Sequence, residues 1–121
     1  MSNVYALQDH EKYDFSMAET FGELIFCAGS RDINTLYSIQ RSPANQEVIH
    51  RMYKSLKNFK EDDFLIISGN PILIGLAIEF LLTKIGKVTI LKWDSYSKQY
   101  NPFLLDMETL CKLEHSDNLN N

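Results

Sequence analysis

The sequence predicts a single small α/β domain with a mixed sheet of four to five strands, two main helices and a Rossmann-like strand–helix–strand core. Residues 64–67 (FLII) are apolar throughout, as in a central strand that is covered on both faces, and residues 88–93 (VTILKW) form a second strand-like run. Between them, residues 71–84 have the length and apolar content of a helix. Two strands joined by such a helix are predicted to be parallel, with a right-handed crossover.

Both predicted helices begin at a capping residue that is followed by proline. Ser42-Pro43 opens the first helix and Asn70-Pro71 opens the second. A Ser or Asn side chain caps free N–H groups, and proline at the first helical position has a preset φ. Gly86 is placed as the left-handed cap that ends the second helix. Apolar side chains follow one side of the first helix and most of the circumference of the second, so the second is predicted to be sandwiched or to lie in an oligomer interface.

Three further runs complete the predicted sheet: residues 4–7 (VYAL), residues 23–28 (ELIFCA) and residues 99–105 (QYNPFLL). The last run is expected to pair back as a hairpin, and Pro102 favours an edge position because it cannot donate to a ladder. The pattern leaves open whether the two helices share one face of the sheet. The domain is predicted to span residues 1–113, with a flexible polar tail at residues 114–121.

The composition excludes several classes of protein. A chain of 121 residues with 45% hydrophobic and 23% charged residues is an ordinary globular domain. Its apolar runs are too short for a bilayer, and its first residues lack a secretory pattern, so a cytoplasmic protein without a membrane partner is expected. Cys27 and Cys111 are expected to be reduced thiols. The formal charge of -4 argues against nucleic acid as the partner.

The turn Ser68-Gly69-Asn70 is the first candidate ligand site. It follows a predicted central strand and precedes a helix, which is where ligands of open α/β sheets bind. A helix N-terminus presents N–H groups and a partial positive charge to a phosphate or carboxylate. Pro71 removes one donor and no nucleotide-binding glycine pattern is present, so helix capping is the simpler explanation of these residues. Should an enzyme use this turn, Asp94 is the candidate base.

Two other groups of residues are candidate partner-binding positions. Arg51, Lys54 and Lys57 form a basic ridge on the solvent side of the first helix, although a solvated helix face is the simpler explanation of these residues. Trp93 and Tyr96 belong to an aromatic loop, and such residues are enriched where partner proteins bind. For Trp93, packing under its own hairpin is the simpler expectation.

The sequence predicts no metal site, no catalytic residues and no cofactor. Four acidic residues have no spacing that fixes a metal site: Asp62, Asp63, Asp94 and Asp106. Asp62 and Asp63 directly follow Glu61 and are expected in a solvated turn. The three histidines are far apart in the sequence: His10, His50 and His115. They lack zinc-ligand spacing, and Cys27 lies in a predicted buried strand, so a Cys-His nucleophilic pair is not expected.

Three segments resemble a family of small accessory proteins encoded by tailed phages, particularly those of marine cyanobacteria. The segments are FGELIFC at residues 21–27, DDFLIISGNPILIGLA at residues 62–77 and ILKWDSYSKQYNPF at residues 90–103. The resemblance implies a protein made in an infected bacterial cytoplasm, and it brings no catalytic residues to carry over.

The leading hypothesis is therefore a non-enzymatic phage accessory protein that binds and modulates a host factor, with an unidentified host protein as its partner. Self-association as a homodimer through the apolar second helix is also expected. The alternative is a nucleotide- or phosphate-binding protein that uses the turn at Ser68-Gly69-Asn70.

Overall fold

The computed structural model describes residues 2–9, 14–29 and 31–116 of the chain. Its strands are β1 (Asn3–Ala6), β2 (Glu23–Phe26), β3 (Phe64–Ile66), β4 (Lys87–Asp94) and β5 (Gln99–Asp106). Its α-helices are α1 (Pro43–Leu56), α2 (Pro71–Lys84) and α3 (Met107–Glu114), and short 3-10 helices lie at Ser16–Thr20 and Ile39–Arg41. The predicted α/β class with a mixed sheet is confirmed.

The five strands form one sheet in the order β2-β1-β3-β4-β5. The four strands β2, β1, β3 and β4 are parallel, and β5 returns antiparallel to β4 as a hairpin. Pro102 lies on β5, an edge strand, as its missing N–H requires. From β1 the chain passes outward to β2 and then returns to β3 on the other side. The carboxyl ends of β1 and β3 therefore flank the point where the strand order reverses.

The helix starts follow the capping signals in the sequence. The Ser42 side chain accepts the N–H of Asn45 at 3.1 Å, and the Asn70 side chain accepts the N–H of Ile72 at 2.8 Å. Gly86 follows α2 with φ of 90°, the left-handed region that favours glycine. These contacts satisfy N–H groups that have no partner within the helix, so both starts are defined locally.

The two long helices share one face of the sheet, which settles the question that the sequence left open. On that face, α1 and α2 pack on alternate strand residues such as Tyr5 and Leu65. On the other face, Phe15 and Ala18 pack on the intervening residues, including Ile66. One face is thus covered by two helices, whereas the other depends on the short segment at residues 15–21.

Helix α2 is the most apolar helix of the fold, and its packing accounts for much of that character. Leu73, Ala77 and Leu81 are fully buried in the core shared with α1 and the sheet. Across the parts of the chain that the structure describes, no helix combines the length and apolar character needed to cross a membrane. Self-association through α2 stays a prediction.

Helix α3 is absent from the sequence-based prediction. The Asp106 side chain accepts the N–H of Thr109 at 2.8 Å and so caps the start of this helix. None of the eight residues of α3 is buried, so the helix lies on the surface of the fold. The predicted domain end at residue 113 falls within α3, and residues 117–121 of the predicted tail lie outside the described residues.

Candidate functional site

The predicted turn at Ser68, Gly69 and Asn70 is bonded to the end of β1. The Ser68 hydroxyl donates to the Gln8 carbonyl at 2.9 Å and accepts the Gln8 N–H at 3.2 Å. The Gln8 side-chain oxygen accepts the Asn70 N–H at 2.6 Å, while its amide nitrogen donates to the carbonyl of Arg31. Gln8 is only 5% exposed. Its side chain therefore occupies the crevice where the strand order reverses.

These bonds engage two of the N–H groups that an anion at this turn would use. The Asn70 N–H is held by Gln8, the Ile72 N–H is held by the Asn70 side chain, and Pro71 has no N–H. Gly69 has φ of 97°, and a Cβ built on it would collide with the Gln8 side chain. Packing thus accounts for the glycine, and the role of this turn in ligand binding stays a prediction.

A cleft of about 540 Å³ opens beside the turn, outside the carboxyl ends of β3 and β4. It is called the strand-end cleft below. Its polar and aromatic lining consists of Asp14, Phe15, Ser68, Gly69, Lys92, Trp93 and Tyr100. The cleft therefore brings two residues of the predicted turn together with one residue of the predicted aromatic loop. Its volume lies within the range of small-molecule sites.

The charged and aromatic groups of this cleft influence one another. The Asp14 side chain accepts the N–H of Ser16 at 2.9 Å, and hydrogen bonding to Ser16 lowers the pKa of Asp14. Burial raises the pKa of Tyr100, and the negative charge of Asp14 raises it further. A carboxylate and a neutral phenol consequently face the cleft at neutral pH.

The two predicted aromatic residues of the β4–β5 hairpin lie in different environments. Trp93 packs on Tyr100 edge to face, with ring centroids 5.1 Å apart, and remains 41% exposed. Tyr96 is 97% exposed in the turn and does not line the strand-end cleft. Asp94 accepts the Tyr96 N–H at 3.0 Å and the Ser97 hydroxyl at 2.7 Å, and bonding to these two residues lowers the pKa of Asp94. Asp94 thus organises the turn.

The predicted basic ridge is exposed to solvent on α1. Arg51, Lys54 and Lys57 are exposed, and no carboxylate of the described residues forms an ion pair with any of them. Their positive charges are therefore not compensated by a direct contact.

An aromatic pair lies beside this ridge. Tyr53 of α1 stacks on Phe80 of α2, with ring centroids 4.8 Å apart and planes at 29°. A shallow depression of about 240 Å³ joins this pair to His50, Lys54 and Lys57. From α2, Lys84 places its Nζ 5.8 Å from the Phe80 centroid and donates to the Lys57 carbonyl. The basic–aromatic surface is defined here as Arg51, Tyr53, Lys54, Lys57, Phe80 and Lys84.

The expectation that Asp63 lies in a solvated charged turn is wrong. Asp63 is 2% exposed, and its two carboxylate oxygens accept the N–H groups of Asn3 and Lys60, each at 2.8 Å. These bonds tie the start of β1 to the turn before β3, whereas the neighbouring Asp62 is exposed as predicted. Asp63 is therefore a structural residue.

The remaining candidates for metal binding and nucleophilic chemistry are dispersed. No group of three or more His, Cys, Asp or Glu residues that could hold a metal ion occurs within residues 2–9, 14–29 and 31–116. His50 and His115 are exposed, and His10 lies outside the described residues. Cys27 is buried as predicted, and burial raises the pKa of its thiol to about 12.

Sequence reasoning missed several residues of these sites, and two of them carry a detectable signal. Gln8 directly follows the first predicted strand, the place where a parallel sheet offers side chains to its carboxyl edge. Asp14 precedes Ser16 by two residues, the spacing at which an Asp side chain caps a local turn. Lys84 and Phe80 have no comparable signal, because only the packing of α2 on α1 brings them to the ridge.

Comparison with known proteins gives one match. Residues 2–107 match the model of a family described as Phage Pam3 gp32-like protein, and this range includes all five strands together with α1 and α2. No curated protein and no solved structure matches the chain. The resemblance to a family of phage proteins is confirmed, while the marine cyanobacterial host stays a prediction. The chain belongs to the Phage Pam3 gp32-like protein family.

Proposed function

We propose that this phage protein is a non-enzymatic accessory factor that binds an acidic segment of a host protein through the basic–aromatic surface on α1 and α2. The observation that supports it is a set of uncompensated cations around an apolar floor. Lys54 and Lys57 form no ion pair with the described residues, although the chain as a whole carries a charge of -4. Such local excess charge steers oppositely charged partners and selects among them.

The aromatic pair gives the surface an apolar centre. Tyr53 and Phe80 are half-buried and hold each other in a stacked arrangement, so they contribute contact area without losing much side-chain freedom on binding. Lys84 is held over the Phe80 ring, which fixes a third positive charge at the edge of this centre. An apolar centre with a charged rim is the usual anatomy of a protein-binding surface.

An acidic peptide fits this surface better than nucleic acid does. The two rings stack on each other and so are not splayed to receive a base between them. Strong phosphate-backbone binding requires many compensating cations, and this surface offers few.

A charge reversal with a matched control tests the proposal in a bacterial host extract. Lys54→Glu changes the basic–aromatic surface, whereas Lys112→Glu makes the same change in charge on α3, where Lys112 is also exposed. Affinity capture followed by quantitative mass spectrometry should recover the same host protein with wild type and Lys112→Glu. Lys54→Glu should lose it. Equal recovery by both variants would contradict the proposed surface.

Purified probes distinguish the two classes of partner. We expect fluorescence anisotropy to show binding of labelled poly-L-glutamate, weakened about tenfold by Lys54→Glu and unaffected by Lys112→Glu, since close charge pairs contribute to affinity. A single-stranded DNA oligonucleotide of equal charge should bind less tightly at the same salt concentration. Tighter binding of the DNA, with a steep loss on adding salt, would overturn the protein-partner assignment.

A further inference from the structure

The strand-end cleft is separate from the basic–aromatic surface and has a chemistry of its own. It lies outside the carboxyl ends of β3 and β4, the region where open α/β sheets bind ligands. The crevice between β1 and β3 is occupied by Gln8, so the cleft is displaced by one strand towards the hairpin. Its volume of about 540 Å³ is suited to a small ligand or a single side chain of a partner.

The alternation of side chains along β4 decides which of them face the cleft. Trp93 is the register partner of Tyr100, and Leu91 lies two residues before it on the same face of the sheet. Leu91 and Tyr100 pack with Phe15 on the face opposite the two long helices. Lys92 points to the other face, because successive residues of a strand alternate. Trp93 therefore stands on the cleft side, and the Lys92 ammonium group does not.

One wall of the cleft is aromatic and largely fixed in place. Phe15 and Tyr100 are buried, and Phe15 also contacts Phe26, with ring centroids 5.5 Å apart. Trp93 stands against Tyr100 but leaves part of its ring system accessible. Among aromatic side chains, tryptophan attracts a cation over its ring face most strongly. The wall thus offers an indole on which a cation can lie.

Asp14 gives the cleft a negative charge that no cation of the described residues pairs with. Its exposed side chain lines the cleft and takes part in none of the ion pairs found there. One oxygen accepts the N–H of Ser16 at 2.9 Å, which orients the carboxylate and leaves lone pairs for another donor. Burial, and then the charge of Asp14, raise the pKa of Tyr100, so this carboxylate lies near the aromatic wall.

We propose that the strand-end cleft binds a guanidinium group, which stacks on Trp93 and donates to the carboxylate of Asp14. A guanidinium is planar, so its face can lie on an indole while its edge presents a fork of N–H donors that matches a carboxylate. An ammonium group has the same charge but no flat face. This function goes beyond partner binding on α1 and α2 and uses none of the same residues.

Two probes represent the two sources of a guanidinium group. Agmatine stands for a free small molecule, and Nα-acetylarginine amide stands for an arginine side chain of a polypeptide. Trp93 is the single tryptophan of the chain, so its indole N–H gives one resonance in a proton–nitrogen correlation NMR spectrum. Titration of the intact protein with either probe should shift this resonance saturably. The probe that binds more tightly identifies the source.

Two further ligands isolate the charge and the shape of the group. Nα-acetylcitrulline amide replaces the guanidinium by a neutral urea of similar shape, and it should bind about tenfold more weakly than the arginine derivative, because the hydrogen bond to Asp14 is no longer charge-assisted. Nα-acetyllysine amide keeps the charge but cannot stack flat on Trp93, so it should also bind more weakly.

Two variants with matched controls assign these preferences to residues. Asp14→Asn should abolish the preference for the arginine over the citrulline derivative, and it keeps an oxygen for the local N–H bond. Asp62→Asn, which removes an exposed carboxylate elsewhere, should keep that preference. Trp93→Leu should weaken both derivatives, as followed by the backbone N–H of Gly69 in the same cleft. Tyr96→Ala, in the exposed turn outside the cleft, should leave every affinity unchanged.

Three outcomes would overturn the proposal. One is the absence of a saturable shift with agmatine and with the arginine derivative at millimolar concentration, while the dispersion of the spectrum shows a folded protein. Another is an undiminished preference for arginine over citrulline in Asp14→Asn. The third is binding of the lysine derivative as tight as that of the arginine derivative, since the site would then recognise charge alone.

Discussion

The side-chain oxygen of Gln8 accepts the backbone N–H of Asn70 at 2.6 Å and thereby joins the end of β1 to the start of α2. The two residues are 62 positions apart in the sequence. The Ser68 hydroxyl adds two bonds to the Gln8 backbone, so one glutamine closes the crevice at which the strand order reverses. The position that commonly receives a ligand in parallel sheets is here used for internal hydrogen bonding.

Replacing this glutamine should therefore destabilise the fold. Gln8→Ala leaves the Asn70 N–H and the Arg31 carbonyl without their partner, and we expect a loss of ~1–3 kcal/mol in the free energy of unfolding. Urea denaturation followed by circular dichroism measures it. Gln40→Ala, at an exposed position, is the control and should leave the urea midpoint of unfolding unchanged. An unchanged midpoint for Gln8→Ala would show that these bonds contribute nothing net.

Two glycine-to-alanine substitutions should have opposite effects on stability. Gly69 has φ of 97° and no room for a Cβ beside Gln8, so Gly69→Ala should cost ~1–3 kcal/mol. Gly75 lies within α2, where a Cβ would meet nothing within 4 Å. Gly75→Ala should stabilise the protein by ~0.5–1 kcal/mol, because alanine loses less freedom in a helix. Thermal unfolding should show a lower melting temperature than wild type for Gly69→Ala and a higher one for Gly75→Ala. A shift in the same direction for both variants would contradict the different roles given to the two glycines.

The same geometry decides how a ligand at this turn can be tested. A bulky side chain at Gly69 disturbs the Gln8 contacts before it can reach any ligand, so a loss of binding in such a variant is ambiguous. Asp14→Asn changes an exposed group of the strand-end cleft instead. It leaves the bonds between β1, β3 and α2 unaltered.

The parts of the fold that follow from local signals were predictable, and the parts that depend on long-range contacts were not. Asn70-Pro71 and Gly86 mark the two ends of α2 in the sequence itself, and the apolar run before Ser68 marks β3. The strand-end cleft joins Ser68 to Trp93 because Ile66 and Leu91 are partners in the register of β3 and β4. That register is a tertiary property.

Asp63 illustrates the limit most directly. It follows two other acidic residues, a composition that favours solvent exposure, yet its carboxylate is buried. Its partner, the Asn3 N–H, lies 60 residues away, and nothing near Asp63 in the sequence indicates the contact. Composition describes the average environment of a residue type, while individual hydrogen bonds decide the exception.

The paired aspartates before β3 should accordingly respond differently to the same substitution. Asp63→Asn retains only one of the two oxygens that accept the Asn3 and Lys60 N–H groups, and we expect it to lower the free energy of unfolding by ~1–3 kcal/mol. Asp62→Asn removes an exposed charge and should change it by no more than ~0.5 kcal/mol. Urea unfolding at constant ionic strength compares them. Equal effects of the two substitutions would indicate that the buried bonds do not contribute.

The two cysteines should differ in reactivity in the folded protein. Burial raises the pKa of the Cys27 thiol to about 12, so near neutral pH it is protonated as well as inaccessible. Cys111 is exposed on α3. Titration with Ellman's reagent at about pH 8, near the ordinary pKa of a free thiol, should therefore detect one thiol in the native protein and two in denaturant.

Substitution identifies which thiol reacts. Cys111→Ser should remove the native signal, because the remaining Cys27 lies in the core on the α1–α2 face of the sheet. In denaturant, the same variant should still show one thiol. Rapid reaction of Cys27 in native Cys111→Ser would mean that this face opens readily to solvent, which is incompatible with the packing of Cys27 beneath α1 and α2.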